Sequence, residues 1–306
     1  MPPNSPRSPS AFSAPALPAF LLAAALALFP QSAPAQKILR MDGAPCQGDL
    51  AALGRLTGGA TVPESDIRRL AGRCVARELT ITPRAIPAIR IGRLEWTPGA
   101  LGSLARGQMP QHLRLRLDDA VLLPPPQDSR LQTMLADAGV LGNPFNGTLA
   151  LTPGSASGTP RTGSLRLSFR NGARVSLRLE MAAAGPQAPG GLKALELHLA
   201  PGHRQPNPVL GAIMAAVQAN NPAHDTPALQ AIARDFIRAR LAGLLDSDGL
   251  SQALALIDDL PRPMQPLHLA VGATEALAPV RLLGLAGNAP PESLFADLEF
   301  TFRYGN

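Results

Sequence analysis

The sequence predicts an α+β fold: a curved antiparallel β-sheet with a helical insert, preceded by a disulfide-stapled helical segment. Three observations carry that prediction. Apolar and polar residues alternate over several stretches between Leu79 and Leu199 and again near the C-terminus, the pattern of strands with one buried and one wet face. Between Asn207 and Leu260 the period becomes helical, and a run of strands followed by a block of helices reads as α+β. The two cysteines of the chain, Cys46 and Cys74, lie ahead of the first alternating run.

The N-terminus reads as an export signal. Pro3, Pro6 and Arg7 precede an apolar stretch from Ala16 to Phe29, and Ala33-Pro34-Ala35 follows with small residues at the positions a signal peptidase reads. A membrane-spanning helix needs about 20 apolar residues, and this stretch is broken by Pro18 and closed by Pro30. The predicted organisation is a signal peptide at 1–35, a helical stapled segment at 36–78 and a β-rich region at 79–205. A helical region at 206–263 and C-terminal strands at 264–306, completing the sheet, follow. No later stretch is apolar enough to span a bilayer, so no transmembrane segment is expected after cleavage, and the expected location is the periplasm.

In an oxidising compartment Cys46 and Cys74 read as one structural disulfide; the C-x-x-C spacing of a redox pair is absent. Closing a loop of this length stabilises a fold by roughly 3–4 kcal/mol on the chain-entropy model.

Within the stapled segment, one helix is expected from Asp49 and a second from Pro63 through Leu70, with Pro at a first-turn position and acids behind it. Strands are expected where Ile89 and Ile91, Leu94 and Trp96, and then Leu113, Leu115 and Leu117 alternate with charged residues, until Pro124-Pro125-Pro126 ends the run. Asp128 to Val140 predicts a short helix capped by Asp128 or Ser129 and ended by Gly139. A hairpin is expected from Ser164 to Glu180, with Leu165, Leu167 and Phe169 facing the same way as Val175, Leu177 and Leu179. A two-residue Asn-Gly turn would set Phe169 against Arg174, so the faces require an odd loop such as Asn171-Gly172-Ala173, with Phe169 paired to Val175. Leu195, Leu197 and Leu199 predict a third strand.

The helical insert begins at Pro208 with a helix apolar almost all round. A second is expected from Thr226 as N-cap to about Leu245, and a third from Leu250 to Leu260, entered through Asp246-Ser247-Asp248-Gly249. Strands at Leu267–Val271 and Ala296–Tyr304 close the chain.

No catalytic motif is recognisable, and no cofactor is indicated. Gly154-Ser155-Ala156-Ser157-Gly158 has Ala where a nucleophile elbow needs Ser, and reads as a flexible loop. His198 and His203 have no Cys or carboxylate beside them in sequence, which leaves them short of a metal-ligand set. The pairs Asp118-Asp119 and Asp258-Asp259 are neighbours in sequence and so do not face each other. Asn146-Gly147-Thr148 fits a glycosylation acceptor but reads as a turn. The net charge of +6 is spread over arginines interleaved with acids, and aromatics make up 4%, too few for a base-stacking surface; nucleic acid is not an expected partner.

The stretch from Ile91 to Pro124 (IGRLEWTPGALGSLARGQMPQHLRLRLDDAVLLP) combines a strand ending in Leu-x-Trp, a Gly-rich step and a Leu-x-Leu-x-Leu run entering a second strand. It resembles the repeating β units of bacterial envelope proteins of the AsmA-like group, and the likeness extends loosely to the hairpin at 164–180. The resemblance implies a lipid-handling β groove. A non-enzymatic protein with an apolar sheet face is therefore expected, holding a lipid or other hydrophobic ligand on Leu113, Leu115, Leu117, Leu165, Leu167, Phe169, Val175, Leu177 and Leu179. Three alternatives stand beside it, one of them a hydrolase whose residues come together from distant segments. The apolar side chains could form ordinary core against the 207–260 helices. Or the protein could be an envelope scaffold without a small ligand, whose Arg114, Arg116, Arg166, Arg170, Arg174 and Arg178 meet an acidic envelope protein.

Overall fold

The computed structural model describes residues 45–57, 60–61, 67–82, 88–106, 110, 112–124, 129–152, 161–182, 191–221, 224–277 and 298–305. The expected export signal at 1–35, Asp128 cap, Gly154–Gly158 loop and Pro63 helix start lie outside the described residues.

The elements, in chain order, are α1 (Pro45–Thr57), β1 (Ala60–Thr61), β2 (Arg68–Leu70), β3 (Arg73–Ile81), β4 (Ile89–Trp96), α2 (Ala100–Ala105), β5 (Leu113–Leu122), α3 (Ser129–Asp137) and β6 (Phe145–Thr152). They continue with β7 (Arg161–Phe169), β8 (Arg174–Met181), β9 (Leu192–Ala200), α4 (Pro208–Asn220), α5 (Thr226–Arg240), α6 (Ser247–Asp258), β10 (Leu267–Leu277) and β11 (Leu298–Tyr304). The strands form one curved, open antiparallel sheet in the spatial order β1-β3-β4-β5-β6-β7-β8-β9-β10-β11, with β2 also paired to β3. From β3 onward spatial order equals chain order. Each strand pairs with its predecessor, the short-range pairing that hairpins favour. The α4–α6 insert interrupts the chain but not the sheet, because β10 returns beside β9 with Leu267 opposite Leu199.

The stapled segment is only partly helical. Helix α1 forms, starting at Pro45, but Arg68–Leu70 and the stretch from Arg73 are strands of a tight hairpin rather than a second helix. Ala71 and Gly72 both take positive φ (47° and 76°), the geometry of a two-residue turn matched to the strand twist. Cross-strand pairing of Cys74 with Trp96 and of Ala76 with Leu94 outweighs local helical preference. The disulfide therefore links a helix to a strand, Cys46 of α1 to Cys74 of β3, both almost wholly buried and 28 residues apart.

Three elements are additional to the sequence reading. Strand β1 pairs with β3, helix α2 follows β4, and β6 occupies the stretch read as an Asn146-Gly147 turn. Gly147 sits mid-strand, with the methyl groups of Leu117 and Leu167 each 2.9 Å from where a Cβ would stand. Its glycine makes room for neighbouring leucines rather than for a turn. The hairpin of β7 and β8 keeps the predicted faces and odd loop, but its register is tighter. Leu167, not Phe169, pairs with Val175, and the Phe169 N–H donates to the Ala173 carbonyl, leaving Arg170-Asn171-Gly172 as the loop.

The helices end where their chemistry dictates. Asn207, Asp225 and Asp246 cap α4, α5 and α6, each accepting a backbone N–H in the first turn. The α5 cap is Asp225, one residue before the predicted Thr226, and this helix stops at Arg240 rather than near Leu245. Gly139, at φ 67°, closes the turn after α3 as expected.

Candidate functional site

Sheet register defines one continuous apolar face. Trp96, Leu115, Leu149, Leu165, Leu177, Leu197, Leu269 and Phe302 stand opposite one another in turn across β4 to β11. A parallel row runs from Leu94 through Leu117, Gly147, Leu167, Val175, Leu199 and Leu267 to Tyr304.

A crease crosses one end of this face. On β3, β4 and β5 successive inward residues are three apart rather than two: Ala76 and Leu79, Leu94 and Ile91, Leu117 and Ala120. Glu78 and Asp119, at φ 50° and 54°, absorb the extra residue on the outer strands of the three, and Gly92 lies between them. A Cβ at Gly92 would stand 3.3 Å from the Asp119 Cβ. On β6 the spacing returns to two, Phe145 and Gly147, so Asp118 and Asp119 together oppose Asn146, whose Oδ1 accepts the Asp119 N–H at 2.9 Å. Such bulges bend and twist a sheet. The Asp118-Asp119 pair thus belongs to the bend, with Asp118 bonded to Arg116, and Asn146 belongs to a strand rather than a turn.

What covers the face varies along it. Of the nine candidate residues, all on this one face, Leu113, Val175, Leu177 and Leu179 are buried, whereas Leu115, Leu117, Leu165, Leu167 and Phe169 are half-buried. Phe145 and Phe169 pack ring to ring at 5.3 Å across β6 and β7. The helical insert covers the β11 end of the face. Among the described residues, helices α3 and α4 form one apolar cluster, α5 and α6 form another that packs on Phe302 of β11, and Val209, Leu210 and Leu256 of the insert join the sheet's cluster. Helices α1 and α2 cover the Trp96 end, through Cys46, Leu50, Leu53, Ala100, Leu101 and Leu104. Along the middle of the face Leu115, Leu117, Leu165, Leu167 and Phe169 are half-buried.

Two polar atoms on this face are satisfied. The Trp96 indole N–H donates to Asp49 at 3.0 Å, and the Tyr304 hydroxyl donates to Asp259 at 2.6 Å. Burial, and then that hydrogen bond, hold the Tyr304 phenol above its ordinary value of 10.

The opposite face is polar. One register row carries Arg116, Thr148, Arg166, Ser176, His198, His268 and Arg303. Arg114 and Arg178 lie on the same face, Arg174 begins β8 there, and Arg170 sits in the β7–β8 loop. Arg116 and Arg178 are tied to Asp118 and Glu180, and hydrogen bonding to Asp118 holds the Arg116 guanidinium above its ordinary value. His198 lies beside His268, which reaches Glu196 at 3.2 Å, while His203 packs against Gly172 in a separate turn. The sequence-adjacent His198 and His203 are therefore not brought together as a ligand pair. Asp258 bonds Arg234, and Asp259 bonds Tyr304, so that pair is parted as well.

The face also contains residues that sequence reading did not nominate: Phe145 and Leu149 of β6, and Leu269, Val271, Phe300 and Phe302 of the last two strands. The alternation Phe145, Gly147, Leu149, Leu151 was present as a signal, hidden by the turn-like Asn-Gly pair.

Among the described residues no helix is long and apolar enough to cross a membrane. No known family, curated protein or solved structure matches the chain.

Proposed function

We propose that this is a periplasmic, non-enzymatic protein that binds a lipid or other hydrophobic ligand on the apolar face of its curved sheet. One observation carries the reading. Leu115, Leu117, Leu165, Leu167 and Phe169 form a contiguous apolar surface on β5 and β7 that stays half-buried, while the insert's α5–α6 cluster meets the face at Phe302 of β11. A face of this kind gains by covering its remaining exposed area, at about 25 cal/mol per Å² of apolar surface removed from water. The Cys46–Cys74 disulfide suits an exported protein.

The test is mass spectrometry of an organic extract from protein recovered from the periplasm without detergent. A stoichiometric lipid is expected, and Leu167→Asn should release it while the fold persists. A clean extract would overturn the reading. It would favour the alternative of an envelope scaffold without a small ligand, which the near-complete burial of Leu113, Val175, Leu177 and Leu179 supports. Replacing Arg166, Arg170 and Arg178 by Glu should then abolish capture of an acidic protein partner.

A further inference from the structure

The apolar face breaks its own pattern at one place. Arg161, the first residue of β7, pairs with Met181 of β8, which pairs with Leu192 of β9, itself opposite Leu277 of β10. Met181 and Leu192 are buried in the main core, so their row belongs to the inner face. Thr162, the next residue, points the other way, its hydroxyl 2.6 Å from that of Thr152. Arg161 is therefore a cation at an inward position, in a central strand, at the rim where β7 begins. It is half-buried, and no ion pair among the described residues involves it.

A charge on the apolar side of a strand contradicts the alternation that otherwise holds along β7, and such local violations mark functional positions. Inward charges do serve to protect sheet edges from aggregation, but β7 lies between β6 and β8 and has no free edge. The next inward residue is Gly163 and the one beyond it Leu165. Hydrocarbon surface therefore begins within two inward positions of the guanidinium. A guanidinium offers several N–H donors in a fixed fork suited to a carboxylate or phosphate.

We propose that Arg161 anchors the head group of the ligand on the inner face, and that the ligand is accordingly an amphiphile with one anionic head group on a hydrocarbon body. The inference rests on the apolar face being a binding surface, and deepens that reading. The head lies at the rim, where carboxylate or phosphate oxygens keep access to water, and the tail runs along the half-buried leucines to Leu115, ending beside the α1–α2 cover over Trp96. Counting two strands across and four residues along, Arg161 and Leu115 are roughly 17 Å apart over the sheet, the scale of an extended long-chain acyl group.

Trp96 is the only tryptophan of the chain and stands on the face itself, which makes the experiment direct. Protein recovered after export is delipidated and titrated with 9,10-dibromostearate, with its methyl ester and with the matching dibromostearoyl lysophosphatidate, reading bromine quenching of Trp96 fluorescence. The acid or the lysophosphatidate should bind about tenfold more tightly than the ester, the scale of one charge-assisted hydrogen-bonded pair. Which of the two is preferred identifies the head group as carboxylate or phosphate. Arg161→Gln should erase the preference and leave the ester's affinity unchanged, whereas Arg161→Lys should retain part of it. An unchanged thermal midpoint in both variants shows that the fold is intact. Equal binding of all three probes, or a preference that survives Arg161→Gln, overturns the assignment of Arg161 while leaving the apolar face as a binding surface. Binding of none of them, by quenching or by the heat of binding in calorimetry, overturns both.

Discussion

The carboxylate of Asp49 in α1 accepts the indole N–H of Trp96 at the end of β4, 3.0 Å away, and both side chains are almost wholly buried. The same carboxylate also accepts the N–H groups of Gly99 and Gly102, at 2.6 and 2.8 Å, and so caps α2 from a neighbouring helix. One side chain thereby joins α1, β4 and α2, beside the disulfide that joins α1 to β3. Asp49→Ala leaves three buried or part-buried donors without their acceptor. It should cost about 3 kcal/mol in urea unfolding, at an unchanged denaturant slope. Asp49→Asn retains an acceptor oxygen and should cost about half as much.

Asn207 links the insert to the sheet. Its Oδ1 accepts the Val209 N–H as cap of α4, while its Nδ2 donates to the carbonyls of Arg174 and Ala200, at 2.9 and 2.7 Å. Asp is as good a helix cap as Asn, yet Asn207→Asp would set a carboxylate oxygen against two carbonyls. The isosteric change should therefore destabilise by at least the 2 kcal/mol or so expected of Asn207→Ser, measured by thermal unfolding at neutral pH. Equal stability of the Asp variant and the native chain would show that the two donor bonds contribute nothing.

Leu177 and Leu165 stand opposite each other on β8 and β7, the first buried and the second half-buried. Truncation of a packed leucine costs the transfer energy plus a cavity, whereas truncation at a surface open to ligand costs less. Leu177→Ala should lose about 3 kcal/mol and Leu165→Ala about 1 kcal/mol in the ligand-free protein. Equal losses would place Leu165 in a filled core.

Tyr304 gives the fold an alkaline limit. Its phenol is buried and donates to Asp259, so the folded state holds its proton more tightly than the unfolded chain does. A group raised in this way contributes stability that is full below the unfolded value near 10 and is lost as pH rises toward the folded value. The thermal midpoint should fall with pH above about 10. Tyr304→Phe should lessen that fall while costing about 1 kcal/mol at neutral pH. An alkaline fall of the same steepness in the Phe variant would assign it to other groups.

The parts legible in sequence are those whose signal is periodic or local. The strands β4, β5, β7, β8, β9, β10 and β11 appear as alternations, and α4 appears as a run apolar on every side. The caps Asp246 and Gly139 are local chemistry at helix ends. The disulfide is expected from two cysteines in a chain read as exported, and it is present. Where two local signals compete, sequence reading fails. Arg68–Arg77 has helix-forming residues and acids upstream, but pairing with β4 decides for strand. Asn146-Gly147 looks like a turn, but its glycine is a packing gap between Leu117 and Leu167.

The candidate site divides in the same way. That Leu115, Leu165, Leu167 and Leu177 lie on the wet or the dry side of their own strands is a property of the two-residue period, and the sequence alone determines it. Which strands stand side by side, how the crease at Glu78, Gly92 and Asp119 bends them, and that β7 reaches back to Arg161 to pair with Met181 are settled by pairing between segments. So is where the insert's helices meet the sheet, with α5 and α6 burying their stripes against each other and on Phe302 of β11. Alternation encodes which face is apolar; whether that face is covered depends on what the folded chain places above it.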